Sequence, residues 1–164
     1  MATRGLVLLA KDTFTTVSSV SFDNVFSATY KQYRIITNIS SASAGYSYMR
    51  LRASGTDNSS ANYFRQFYAA NGGTGSAARS SSQTTWSGIT EMNTYSNIQI
   101  IEVNNPFQTT YTSAINLSND TSAGNIVWFS NVFGMNVTTS YDGFTIAPDS
   151  STISGTITVY GLGQ

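Results

Sequence analysis

Apolar and polar positions alternate along most of this chain with the two-residue period of a β-strand. From Tyr46 to Ala53, Met49, Leu51 and Ala53 fall on one side and Arg50 and Arg52 on the other. Near the C-terminus Ile153, Gly155, Ile157 and Val159 share a face. Further strand-like runs are predicted from Leu6 to Lys11, Phe14 to Phe22, Tyr30 to Ile39, Thr84 to Thr90, Asn97 to Val103, Phe107 to Leu117 and Phe144 to Ala147. The run from Asn125 to Val137 is almost continuously apolar. Val127, Phe129, Phe133, Met135 and Val137 share one parity, and Ile126, Trp128 and Val132 the other. That pattern predicts a central strand with both faces covered. The stretch from Asn62 to Ala69 fits a strand or a short helical turn, because Phe64, Phe67 and Tyr68 stand at i, i+3 and i+4.

Turn chemistry separates these runs. Ser41 to Gly45, Ser54 to Ser60, Asn119 to Gly124, Tyr141-Asp142-Gly143 and Pro148 to Ser151 read as loops. Asn104-Asn105-Pro106 reads as a turn, and Asn71 to Gln83 as the longest Gly/Ser-rich loop. Roughly eight to ten short strands with no crossover helix predict an all-β, antiparallel β-sandwich or barrel. The 164 residues suit a single domain, from residue 6 to 164, preceded by a short arm of Met1, Ala2, Thr3, Arg4 and Gly5.

Composition narrows the chemistry more than the fold. Cysteine and histidine are both absent, which removes disulfides, thiol catalysis and the commonest general base and metal ligand. Only 10% of residues are charged, so the surface is built from Ser, Thr, Asn, Gln and Gly. Such a neutral surface suits a chain packed among copies of itself. All eight basic residues lie at or before Arg79, with three acids; five acids and no base follow. Strands from the two halves, interleaved in one sandwich, would mix these charges. A basic face meeting a neighbour's acidic face is the other reading. No basic cluster with interleaved aromatics points to nucleic acid. No run approaches the roughly 20 apolar residues of a membrane-spanning helix, and the five-residue run after Gly5 is too short for a signal-peptide core.

Two segments resemble a known family. The stretch from Gly5 to Ile39 begins GLVLLAKDTFTTVSSVSFDNVFSATYKQYRII, with Phe26, Ser27, Thr29, Tyr30, Tyr33, Arg34 and Ile35 as its most distinctive element. The C-terminal GTITVYGLGQ, Gly155 to Gln164, follows FTIAPDSSTISG. Together they resemble small structural proteins of tailed bacteriophages, many from aquatic and cyanobacterial hosts: capsid decoration (cement) proteins or terminal domains of fibres. Where that family often has an acidic residue after Thr-Tyr, Lys31 stands here. The resemblance implies a jelly-roll-like domain, a homotrimer and a place on the virion, assembled in the host cytoplasm. It implies no catalytic residue and no cofactor. The expected partners are the major capsid protein or other virion proteins, with host surface glycan as the alternative for a fibre tip. With the first strand beginning by residue 6, no shaft precedes the domain, which favours the capsid shell over a fibre.

Other signals are weak. Gly73-Thr74-Gly75-Ser76-Ala77-Ala78 imitates a dinucleotide fingerprint, but no helical pattern follows it and a surface loop is expected. Glu91 and Glu102 are the only glutamates, and nothing places them as a glycosidase pair. The aspartates lack the spacing of a calcium loop. No metal, cofactor or catalytic site is therefore expected, and the chain reads as non-enzymatic. The candidate partner surface is the aromatic group around the Gly/Ser-rich loop: Tyr63, Tyr68, Trp86 and Tyr95. The arm Met1 to Gly5 is the candidate contact to a capsid or neighbour.

Overall fold

The computed structural model describes residues 5–95, 97–122 and 125–163; among them alternation becomes thirteen strands and no helix. These are β1 (Gly5–Val17), β2 (Val20–Phe22), β3 (Gln32–Ser41), β4 (Gly45–Ala53), β5 (Thr56–Asp57), β6 (Tyr63–Asn71) and β7 (Thr74–Gln83). They continue with β8 (Trp86–Met92), β9 (Asn97–Asn104), β10 (Ser113–Ser122), β11 (Asn125–Met135), β12 (Gly143–Pro148) and β13 (Ile153–Gly163). Every pairing is antiparallel. One sheet has eight strands in the order β1-β13-β3-β9-β10-β11-β6-β7. The other runs β2-β12-β4-β5, with β8 also paired to β4. The two sheets pack as a sandwich around one main core.

This order contains a complete jelly roll. Four strands, β1-β13-β3-β9, face four others, β2-β12-β4-β8. Two insertions enlarge the first sheet alone. The β6–β7 hairpin leaves between β4 and β8, and the β10–β11 hairpin between β9 and β12. Both add to the edge at β9. The large sheet therefore overhangs the small one. Beneath the overhang β8 comes close to β10, β11 and β6.

The jelly-roll half holds the apolar core. Tyr33, Ile35, Ile101, Val103, Ile157 and Val159 of the large sheet meet Met49, Leu51, Phe144 and Ile146 of the small one, all essentially without solvent contact. Phe22 and Phe26 stack on Phe144 at 5.1 and 5.7 Å. Each such side chain contributes about 1.5–3 kcal/mol relative to an exposed one. From β3 and β9 into the overhang, part of the inner face turns polar. Thr37, Asn97, Gln99, Asn116, Ser118, Asp120 and Asn131 are all buried there. The backbone of β8 accepts from three of them. The Ser118 hydroxyl donates to the Ile89 carbonyl (2.8 Å), and the amides of Asn131 and Asn97 donate to the carbonyls of Gly88 and Glu91.

Several expectations are corrected. The longest loop, Asn71 to Gln83, is mostly the strand β7. Gly72 and Gly73, at φ 55 and 83, form a two-residue turn between the paired Asn71 and Thr74. Two adjacent positive φ angles are what such a hairpin requires. The loop expected from Asn119 to Gly124 is largely strand too, because β10 runs on to Ser122 opposite Asn125. Phe107 to Thr110 is loop instead, the strand beginning at Ser113. Residues 63–71 are strand, so Phe67 points inward while Phe64 and Tyr68 point out. Leu6 to Phe14 is one continuous strand, and the chain breaks at Ser18-Ser19. Most consequentially, β11 is central in its sheet but covered on one face only. Ile126, Trp128 and Val132 are 69%, 43% and 57% exposed.

Tyr63 ties the small sheet to the insertion. Its hydroxyl accepts the Leu51 backbone N–H at 3.0 Å and donates to the Asn58 carbonyl at 2.9 Å, wholly buried. Burial raises its pKa well above the ordinary tyrosine value. Tyr63→Phe strands both backbone groups and is expected to lower stability by about 1–3 kcal/mol in urea unfolding, with the slope of the transition unchanged.

Candidate interaction face and cleft

The outer side of the large sheet is the first candidate site. Strand register fixes its rows. Tyr160, Arg34, Glu102, Ile115, Val132, Gln66 and Arg79 lie side by side across seven strands, with Leu8 continuing the row on β1. The next row carries Ile36, Ile100, Leu117, Ser130 and Tyr68. Ile115, Leu117, Ile98 and Tyr68 are about half exposed, as are Leu6 and Leu8 at the far edge. Tyr68 meets Trp128 edge to face at 5.9 Å, and its hydroxyl end lies across Gly75 of β7, where a Cβ would collide with it. The phenyl ring of Phe64 likewise covers Gly134.

At strand spacing of about 4.8 Å the eight strands span roughly 35–40 Å; over six residues of each, the face measures about 700–800 Å². That matches one partner's share of a standard protein interface. Charge is nearly absent from its centre. Arg34 Nε donates to Glu102 Oε1 at 2.9 Å, so the one central cation and the one central anion neutralise each other. This pair also joins the basic first half of the chain to its acidic second half, as interleaved strands were expected to do. Two apolar patches remain on either side of it: Leu6, Leu8 and Leu162 on β1 and β13, and Ile115, Leu117, Trp128 and Val132 on β10 and β11.

The second candidate site lies on the opposite side of the same sheet, where the overhang leaves the small sheet behind. An open cleft of about 560 Å³ runs between β4, β6, β8 and β11. A register shift in the β4–β8 ladder falls between Tyr46 and Tyr48; such irregularities re-aim side chains. Tyr46 there meets Phe129 edge to face at 6.4 Å. Across the cleft the Arg65 guanidinium lies 4.5 Å from the Phe67 ring centre and donates through Nη1 to the Ser87 carbonyl at 2.6 Å. The Arg50 guanidinium sits over Tyr48 at 5.3 Å. Burial lowers the Arg65 pKa from its ordinary value, yet a guanidinium stays protonated. Burial raises the Tyr46 pKa, with Glu91 and Asp149 adding to the rise.

No family model matches this chain, and no curated protein matches it either. The site therefore stands on geometry.

The residues expected to form a partner surface do not come together. Tyr63 and Trp86 are core. Trp86 stacks on Phe133 at 5.3 Å, meets Tyr63 edge to face, and donates its indole N–H to the Gly134 carbonyl. A partner of the folded chain cannot reach either. Tyr68 is on the outer face, while Tyr95 is exposed in the turn after β8, 57% accessible. Of the expected arm, Met1, Ala2, Thr3 and Arg4 lie outside the described residues, and Gly5 is the first residue of β1, paired with Gly163. Glu102 is bound to Arg34 on the outer face. Glu91 belongs to the other sheet, where burial and nearby Asp120 raise its pKa. The two glutamates do not form a catalytic pair. Among the described residues no cluster of three or more acids could hold a metal ion.

What sequence reasoning missed is the cleft. Its one local signal was Gly88 inside an otherwise strand-like run. Gly88 has φ +64, and a Cβ there would collide with Arg65 Nη1. Glycine inside a strand marks such close approaches. Gly88→Ala is expected to cost about 1–3 kcal/mol through backbone strain and to push the Arg65 guanidinium off the Ser87 carbonyl. Thermal unfolding together with the Arg65 side-chain NMR signal checks both effects.

Proposed function

We propose that this chain is a non-enzymatic virion structural protein of the capsid-decorating kind, working as a homotrimer that buries the outer face of its large sheet. The observation that carries this reading is that open apolar face, neutral at its centre and of interface size. Charge-depleted centres flanked by polar rims are characteristic of protein interfaces. A ring of three needs two different patches on each copy, whereas a twofold dimer needs one self-complementary patch. The face offers two. The leucine patch at β1 and β13 of one copy seats on the Ile115–Val132 patch of the next, with the Arg34–Glu102 pair between them. The phage setting rests on the likeness of the two chain ends, and the capsid protein as the further partner rests on the same likeness.

A second reading, a fibre tip that holds host surface glycan, is favoured by one observation, the aromatic cleft. The two readings use opposite sides of β6 and β11 and do not compete for residues.

Sedimentation velocity at micromolar concentration is expected to show a trimer. Leu117→Lys combined with Val132→Lys places two charges in every interface and is expected to give monomers. Because both side chains are exposed in the single chain, the monomeric variant should still unfold cooperatively, each substitution costing the single chain about 0.5 kcal/mol or less apart from the stability lost with association. A wild-type monomer, or a trimer untouched by the double substitution, would overturn the trimer. Electron microscopy of the particle, with density on the shell or at a fibre end, separates the two readings.

A further inference from the structure

The cleft beneath the overhang holds an imbalance that folding alone does not explain. Arg65 is half-buried, yet among the described residues no carboxylate lies within ion-pair distance of it. Its Nε is shut off from solvent without a partner. Beside it Ser47, with no solvent exposure, leaves its hydroxyl unpartnered as well. Both line the same open cleft. Partial burial of a cation without a counter-charge is unfavourable, as is burial of a hydroxyl without a partner. The sealed Nε and hydroxyl are out of a ligand's reach, but the rest of the Arg65 guanidinium lines the open cleft, where an entering anion can supply the missing counter-charge.

The walls say what. Tyr46, 45% exposed, and the rings of Phe67 and Phe129 offer flat apolar surface. Between them stand short hydroxyls, Thr85 and Ser87, and at the rim Arg50 and Asp149. Aromatic faces pack against the C–H side of a sugar ring, and hydroxyls and Asp149 exchange hydrogen bonds with ring hydroxyls. The unpaired guanidinium takes a carboxylate, for which its planar fork is suited. A bare inorganic anion would leave the aromatic walls unused, and a neutral sugar would leave Arg65 unpaired.

We infer that this cleft binds an acidic sugar, a hexuronate or sialic-acid unit of a glycan, with its carboxylate on Arg65 and its ring against Tyr46. The inference deepens the glycan-holding reading and is independent of the trimer: a monomer that binds the sugar, or a trimer that does not, shows which of the two has failed.

The test titrates the full chain, by calorimetry and by amide NMR shifts, with galacturonate and sialyllactose, with galactose and lactose as their neutral counterparts, and with inorganic sulfate. At least one acidic sugar is expected to bind in the millimolar range or tighter and to shift the amides of Tyr46, Ser47 and Arg65. Its neutral counterpart should bind about tenfold more weakly or worse. Arg65→Lys should weaken the acidic sugar about tenfold while sparing the neutral one. Tyr46→Ala, at an exposed position where folding is not at stake, should weaken both by a similar factor. Equal binding of neutral and acidic sugars, sulfate binding as tightly as the acidic sugar, full affinity in Tyr46→Ala, or no shift from either acidic sugar would each overturn the assignment.

Discussion

A sheet wider than its cover is the constraint on which this structure turns. Eight strands pair edge to edge, but the opposing sheet reaches only as far as the jelly-roll half. A strand has two faces, and backbone pairing extends a sheet whether or not either face is covered. The β6–β7 and β10–β11 hairpins satisfy their hydrogen bonds by joining the edge at β9. They then present side chains both above and below a region with no second layer of its own. The cleft and the larger of the two apolar outer patches lie in that region: apolar residues on the outside, polar residues and the cleft on the inside.

Beside the Tyr46–Phe129 and Leu51–Tyr63 contacts of β4, the gap is bridged by β8, which does so with its backbone. Its carbonyls at Gly88, Ile89 and Glu91 accept from Asn131, Ser118 and Asn97. These buried amides and hydroxyls each bring a desolvation cost that only a well-placed partner offsets. A strand lying across the sheet supplies carbonyls at regular spacing, which an apolar side-chain layer would not. The cost of this arrangement is room. Gly88 gives up its side chain so that Arg65 can reach the Ser87 carbonyl, and beyond that point the layer ends and the cleft opens. The same backbone contact thus seals the polar stripe and sets the cleft's inner wall.

Period-two alternation made β4, β9, β12 and β13 legible in the sequence, because each lies in the jelly-roll half with one face on an apolar core. Apart from the break between β1 and β2, the strands that were misread belong to the overhang. β7 has no apolar face at all; its serines and alanines are nearly all exposed, so nothing in its pattern separated it from a loop except the Gly-Gly turn at its start. The end of β10 carries Ser118 and Asp120 inward, polar residues that read as loop because their partners are backbone carbonyls and a distant amide, that of Asn93. β11 was expected to be covered on both faces since both parities are apolar. The pattern recorded the apolar character correctly, but a single chain supplies only one of the two layers. Tyr63 and Trp86 were singled out for lying near a supposed loop. Once that loop is a strand, both rings fall inside the core.

The mismatch on β11 carries the most weight. Val127, Phe129 and Phe133 account for one face. Ile126, Trp128 and Val132 make the other just as apolar, with no layer above it among the described residues. Scattered exposed apolar residues are ordinary, but strand register here aligns them with Ile115, Leu117 and Tyr68 into one surface. Neighbouring positions on β6 divide in the same way, Arg65 and Phe67 facing the cleft while Phe64 and Tyr68 face outward. Alternation therefore places two chemically different surfaces one residue apart on the same two strands. Covering the outer face by another chain leaves the cleft open at the sandwich rim, so assembly and ligand capture are mechanically compatible in one small domain.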